Sequence, residues 1–430
     1  MIPSIIPIPL PGGVEMPMPR FIKARQKFNA DQIDDVNKAM REQFAKFSNV
    51  DLKGKSVAIA VGSRGIRSQP PVVKALVEVL LEAGAEPFIV PAMGSHGSGT
   101  AEGQAQIVEE YDCGSQALGI PLKSSMDVVE LCEVHNGLKV FCDKNAMAAD
   151  WIIPVNRVKP HTSFRGKHES GLCKMMIIGL GKHTGAVEMH RRGMRNFGPI
   201  LPIAAEGFMA NANVLFGCAI VENGYEKLHS MELIAPTEIV AREMELLELS
   251  KSLIPRLLID PIDVLVVDQI GKNISGAGMD PNVTGRNSQK MNDFDGPDIN
   301  RIVVRGLTPE THGNATGLGT ADVITQRFVR EMDWTKTYVN IVTSGEPGGA
   351  SLPLVANNDR EAISIAMRGV IMLDGPEARI VRIENTLDLG DIWVSEPMIS
   401  DVEAHPGMEV VGDAFDASFD ADGDWPAIHD

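Results

Sequence analysis

The segment "KPHTSFRGKHESGLCKMMIIGLGKHTGAVEMH", residues 159–190, carries four of the ten histidines in a chain of 430 residues. Imidazole titrates near neutral pH, so His161 is a candidate proton carrier, and so is His96 in the loop "GSHGSGT". Two such rings facing one substrate from opposite sides could act as acid and base in turn. Lys174 sits against the apolar run "MMIIG", where desolvation would favour a neutral amine able to form a Schiff base or an acyl link. His190 or His183 could ligate a metal ion. A histidine-built zinc hydrolase is the weaker alternative, because neither HExxH nor HxH spacing occurs. Taken singly, loop histidines are usually surface groups, and His135, His229, His405 and His429 read that way. "GLGKHTG" has the wrong spacing for a phosphate-binding loop, and no GxGxxG pattern follows a strand.

The elements that must position these groups alternate between strand and helix patterns. Residues 1–25 read as an extended, proline-rich arm, and 30–47 have apolar residues at helical spacing. "KSVAIAVGSRGI" is a short apolar run ending in glycine and arginine. "PPVVKALVEVLLEAGAE" then reads as a helix with Pro at its start and Gly at its end. "PFIVPAMGSHGSGT" is a second strand and loop, and Thr100 is a plausible N-cap for the helix "AEGQAQIVEEY". "DWIIPVNRVKP" is a further strand, and 236–254 read as an amphipathic helix. This rhythm predicts an α/β protein with mainly parallel sheets flanked by helices. Strands and helices resume at "PIDVLVVDQIG", which predicts two domains, 1–257 and 258–430. Ligands collect at the carboxyl ends of parallel strands. Three loops of the first domain should lie there: Gly62–Ile66 with Arg64, Gly94–Thr100 with His96, and Pro160–Lys174 with His161 and Lys174.

In order along the chain, "VGSRGI", "MGSHGSGTAEGQ" and the opening segment resemble the marker segments of the nickel-dependent lactate racemase superfamily. The resemblance is specific over roughly 55–195. It implies a two-domain α/β fold with the active site in the interdomain cleft. It also implies a nickel pincer nucleotide, a nicotinate-derived mononucleotide whose nickel is bound through a ring carbon and two sulfurs. On this resemblance Lys174 is the covalent anchor of that cofactor. His190, sixteen residues further on, is the nickel ligand. His96 and His161 are the acid/base pair, and Arg64 is a phosphate or carboxylate contact. The implied reaction is racemisation or epimerisation of a small 2-hydroxy acid, with the α-hydrogen moving as hydride to the cofactor and back. Cofactor-synthesising enzymes are then expected partners. The chain departs from the family pattern at Gly62, where an acid is expected, in the longer span between His161 and Lys174, and in "SGLCK", which lacks a second glycine. These departures point to a divergent branch. Outside the matched segments, the glycine-rich loops 271–286 and 311–320 offer Lys272, Arg286 and His312 as substrate-selecting candidates. His168 and His183 receive no role.

The remaining expectations come from composition. A formal charge of -17 argues against general affinity for nucleic acid or anionic membrane, which require basic faces. Five scattered cysteines without CxxC spacing indicate neither a disulfide framework nor a cysteine-built cluster, and fit a reduced cytoplasm. No apolar stretch approaches spanning length, and the proline-broken start "MIPSIIPIPLPGG" is unlike a signal peptide. A non-catalytic small-molecule or cofactor-binding protein of the same fold is the alternative from a different class. The sequence is silent on oligomeric state.

Overall fold

A computed structural model describes residues 2–62, 66–288, 294–370 and 373–428. The chain forms two compact units, one of residues 29–254 and the other of residues 1–28 together with 255–430. Among the described residues no helix is long and apolar enough to cross a membrane.

The first strand, β1 (Arg20–Gln26), belongs to the second unit and is described with it. The unit of residues 29–254 contains β2 (Ser56–Val61), β3 (Glu86–Pro91), β4 (Val128–Val134), β5 (Leu138–Asp143), β6 (Trp151–Arg157), β7 (Gly217–Glu222) and β8 (Leu228–Ile234). Its five-stranded sheet has the order β3-β2-β6-β7-β8. The first four of these run parallel, and β8 returns antiparallel. The strands β4 and β5 pair separately as an antiparallel hairpin.

Strand β2 shows why the sheet is covered on both faces. Val57, Ile59 and Val61 point to one side, into a core with Val72, Val73, Leu76 and Leu80 of the helix Gln69–Glu82. Ala58 and Ala60 point to the other side, toward Met175, Met176, Phe197 and Leu246. Alternate residues of a strand face opposite sides, so a wholly apolar run is what a doubly covered parallel strand requires. The small side chains of Ala58, Ala60, Ala92 and Ala219 line the second face. They leave room for the segment carrying Lys174 to lie close to the sheet.

The second unit contains β9 (Ile262–Ile270), β10 (Ile299–Leu307), β11 (Val323–Thr325), β12 (Leu354–Ala356), β13 (Ile380–Ile383), β14 (Asp391–Ser395) and β15 (Met408–Asp416). Together with β1 they form an eight-stranded sheet of order β12-β11-β10-β9-β13-β14-β1-β15. The first five run parallel, and β14, β1 and β15 add an antiparallel edge. This corrects the expected placement of the N-terminal arm within 1–257. Phe21 and Ala24 of β1 pair with Ser395 and Ile392 on one side and with Phe415 and Val410 on the other. The hydrogen bonds of β1 therefore lie with the second unit.

Candidate active site at the carboxyl ends of β2, β3 and β6

The loop leaving β3 carries His96, and its shape is fixed from beneath. Gly94 has φ +62°, and its N–H donates to the Gly179 carbonyl at 3.3 Å. A Cβ at Gly94 would stand 3.2 Å from Ile178 Cγ2 and 3.3 Å from the Ile178 carbonyl. Gly99, in the same loop, has φ +66° but meets nothing within 4 Å. Gly94→Ala is therefore expected to cost about 1–3 kcal/mol, through strain plus crowding. Gly99→Ala should cost measurably less in the same denaturation experiment, and equal losses would count against the close approach.

A buried polar chain supports this loop. The fully buried Gln104 lies in the helix Ala101–Glu110, whose N-cap Thr100 accepts from the Gly103 amide. Its Nε2 donates to the carbonyls of Gly94 at 2.8 Å and His96 at 3.3 Å. Its Oε1 accepts from Lys182 Nζ at 3.0 Å. Lys182 is fully buried, donates also to the Pro91 carbonyl, and lies 3.3 Å from Asp143 Oδ2. Asp143 Oδ1 meanwhile caps the amides of Asn145 and Ala146. Burial pushes the Lys182 ammonium down and the Asp143 carboxyl up, and each opposes the other's shift. Two hydrogen-bond acceptors and the Asp143 carboxylate at ion-pair distance surround the ammonium, so the ion pair is the form the geometry serves. Sequence reading passed over Lys182, Gln104, Asp143 and Glu169. The one available signal is Lys182 among the glycines of "GLGKHTG", whose spacing is wrong for a phosphate-binding loop.

The loop leaving β6 closes on itself. Lys159 and Ser170 exchange both backbone hydrogen bonds, at 2.9 and 3.1 Å. Inside it, the Glu169 side chain is wholly buried. It accepts from the His161 amide at 2.7 Å and from Arg165 Nη1 at 3.2 Å, and lies 3.4 Å from Lys251 Nζ. One buried carboxylate thus fixes the backbone at His161. The His161 ring stacks on Phe164 with centroids 4.3 Å apart.

Lys174 ends the short helical turn Leu172–Lys174 and opens a π-helical turn, Met175–Gly179. Such turns insert an extra residue into a helix and are frequent at functional sites. Lys174 is half-buried, and its Nζ lies 2.6 Å from His161 Nε2. The Ser163 amide donates to His161 Nδ1 at 3.0 Å. A neutral ring with Nδ1 accepting carries its own proton on Nε2. Facing that N–H, the lysine nitrogen accepts only through a lone pair, so this arrangement matches a neutral imidazole beside a neutral amine.

The other expected residues fall as follows. His190 is exposed at the end of the helix Lys182–His190. Its ring lies 5.3 Å from Phe197, which lies 5.3 Å from Phe164, so one aromatic row joins His190 to His161. His96 is exposed on its loop, and His183 is exposed in the helix Lys182–His190. Gly62, at the end of β2, faces the Met175 methyl group and Asn156. Arg64 lies outside the described residues. In the other unit Lys272 donates to the Gly276 carbonyl at 2.7 Å. Arg286 pairs with Asp322 at 2.5 Å and donates to the Ile299 and Asn300 carbonyls, which ties its guanidinium to its own unit. His312 is exposed in a left-handed turn with φ +50°.

A family model described as a domain of unknown function (DUF362) matches residues 59–271, just under half of the chain, including His96, His161, Lys174 and His190. Among curated proteins nothing matches. Among solved structures the chain is similar to the lactate racemase apoprotein from Thermoanaerobacterium thermosaccharolyticum. That likeness has 13% identity, covers 88% of this chain and 86% of the other, and gives a TM-score of 0.46. It is also similar to a crystallised structural-genomics protein from Thermotoga maritima, with 19% identity over 55% of this chain and a TM-score of 0.41. The chain spans 64% of the length of that protein.

Proposed function

We propose that this protein is a racemase or epimerase of a small 2-hydroxy acid that works with a nickel pincer nucleotide attached to Lys174. The observation that carries this reading is the Lys174–His161 pair, with its 2.6 Å contact and the proton placed on Nε2 by the Ser163 amide. Attachment through an acyl-type link requires a neutral amine, because an ammonium has no lone pair to form the bond. The donor set therefore fits the group. Lys174 would hold it covalently, His190 would supply an imidazole to nickel, and Arg64 would contact its phosphate or the substrate carboxylate. When bound, the cofactor supplies hydride acceptance and return at the substrate α-carbon.

The chain's own part is orientation and proton movement. Once Lys174 is acylated, its nitrogen no longer offers a lone pair, and His161 Nε2 is released toward a substrate hydroxyl. Acceptance of a proton at Nε2 requires the ring to carry its other proton on Nδ1, so the Ser163 contact must break in the loaded enzyme. His96, on the loop held by Gln104, serves as the second proton carrier, since inversion needs one on each side of the substrate. The glutamate-fastened loop and the glutamine-fastened loop keep the two imidazoles on separate supports.

The test is co-expression with cofactor-making enzymes and nickel, followed by intact mass and a panel of single-enantiomer 2-hydroxy acids in deuterated water. An adduct on Lys174, with loss of optical rotation but no deuterium at Cα, is expected. Full exchange at Cα would sink the hydride route. An adduct and nickel without turnover of any panel member would favour a carrier protein of this fold.

A further inference from the structure

Next to Lys174 the chain buries three groups that the proposed reaction leaves unused. His168, Cys173 and Glu243 are 2%, 0% and 1% exposed. A ring nitrogen, a sulfur and a carboxylate oxygen from these residues lie within 4.8 Å of one another. They come from three places: the loop after β6, the turn before the π-helical segment, and the helix Ile239–Leu253. The other four cysteines take no part in the cluster.

Two atoms in this cluster lack the partners that burial demands. His168 Nε2 lies 2.7 Å from the Val240 carbonyl, and only an N–H can satisfy a carbonyl oxygen. The lone pair of the neutral ring is therefore on Nδ1, and that buried atom has no hydrogen-bond partner. Glu243 Oε2 accepts from the Cys173 amide at 2.9 Å, while Oε1 has no partner. A histidine that gives one ring N–H to a backbone carbonyl and turns its free lone pair into a cluster has the arrangement of a metal-bound imidazole.

The geometry points to a buried divalent-cation site, best matched by zinc, with His168 Nδ1, Cys173 Sγ and Glu243 as ligands. Thiolate, imidazole and carboxylate are all zinc donors, and the borderline softness of that ion suits the mixed set. Zinc bonds of about 2.0–2.3 Å place tetrahedral ligands roughly 3.5 Å apart, so the cluster contracts by side-chain rotation on binding and leaves a fourth position for water. One divalent ion, one thiolate, one carboxylate and one neutral imidazole sum to zero charge. Burial raises both the Cys173 thiol and the Glu243 carboxyl toward their protonated forms, and the cation replaces those two protons. Binding is M²⁺ plus the thiol plus the carboxylic acid, giving the metal thiolate-carboxylate and two released protons, with no redox change. Because the ligands are enclosed, loading belongs to folding. The ion would clamp the loop of His161 to the turn of Lys174 from behind, at a position separate from His190.

The test uses the full chain made without nickel and without cofactor-making enzymes, so it is independent of the proposed reaction. Purification from zinc-supplemented medium should give one zinc per chain. Refolding with Co²⁺ alone should give tetrahedral d–d bands and a thiolate-to-cobalt charge-transfer band in the near ultraviolet. The band should persist in His190→Ala, and metal content should fall at least tenfold in Cys173→Ser. Should Cys173→Ser not fold, the wild-type cobalt spectrum decides alone. Substoichiometric metal, a cobalt spectrum without the thiolate band, or an unchanged band in Cys173→Ser would each overturn the site in favour of a metal-free hydrogen-bonded cluster.

Discussion

Replacement of Lys174 by arginine is expected to eliminate the cofactor adduct and to lower turnover by on the order of 10³-fold or more. Arginine keeps much of the length but sets a permanent cation where the geometry serves a neutral amine, so the change removes nucleophilicity and adds a charge. A guanidinium has a pKa above about 12 and stays protonated, so it offers no lone pair to an electrophile or to His161 Nε2–H. Lys174 is half-buried and contacts His161. The fold should therefore tolerate the change, with a stability loss within about 1–2 kcal/mol. Mass spectrometry, nickel content and thermal melting on one preparation separate these terms. A Lys174→Arg protein that still carries the adduct, or turns over at the wild-type rate, would remove Lys174 from the anchor role. A protein that fails to melt cooperatively would assign the residue to folding instead.

Lys182→Met is expected to be the most destabilising single change in the same unit. Methionine fills much of the lysine volume but leaves Asp143 buried without its cation and Gln104 Oε1 without its donor. Removing one member of a buried ion pair typically costs about 3–5 kcal/mol. For a domain of this size that corresponds to a fall in melting temperature of roughly 6–20 °C. Asp143→Asn on the Lys182→Met background should recover part of the loss, because it removes the stranded charge while keeping an acceptor for the Asn145 and Ala146 amides. The cycle should give a coupling of about 1–3 kcal/mol. Additive losses would show that the two residues do not act as a pair. The effect should also reach the candidate site, because Gln104 holds the His96 loop and Lys182 holds Gln104.

The local features of this architecture were legible in the sequence. "KSVAIAVGSRGI" reads as a short apolar strand of a parallel sheet, and β2 is that strand, its two faces entering two cores in the structure. Thr100 caps its helix, and Pro70 and Pro71 lie in the first turn of theirs. The parallel rhythm also directs attention to the loops after β2, β3 and β6. What escaped was polar and nonlocal. Asp143 ends a hairpin strand, and Lys182 opens a helix in a left-handed conformation, φ +55°. Neither residue announces that a partner lies across the fold. "MMIIG" reads as ordinary helix, since nothing in five apolar residues distinguishes a π turn from an α turn. Glu169 and His168 look like loop polar residues until the Lys159–Ser170 bridge turns them inward. The partners of Arg286 are equally nonlocal, since a cation near glycines invites a ligand reading and gives no sign of the Asp322 carboxylate and backbone carbonyls that meet it.

"RFIKARQ" reads only as part of an extended arm, because its partners, β14 and β15, lie far along the chain from it. That pairing has a consequence for the order in which the protein can be made. The strands β2 to β8, all those among the described residues between Asn29 and Ile254, follow one another along the nascent chain, so that unit can complete itself while synthesis continues. Strand β1 emerges before these and lacks its sheet neighbours until β14 and β15 have left the ribosome. Among the described strands it is the first to be made and among the last to be paired. Cutting away the first 28 residues would accordingly remove an interior plank of the eight-stranded sheet, leaving β14 and β15 with facing open edges.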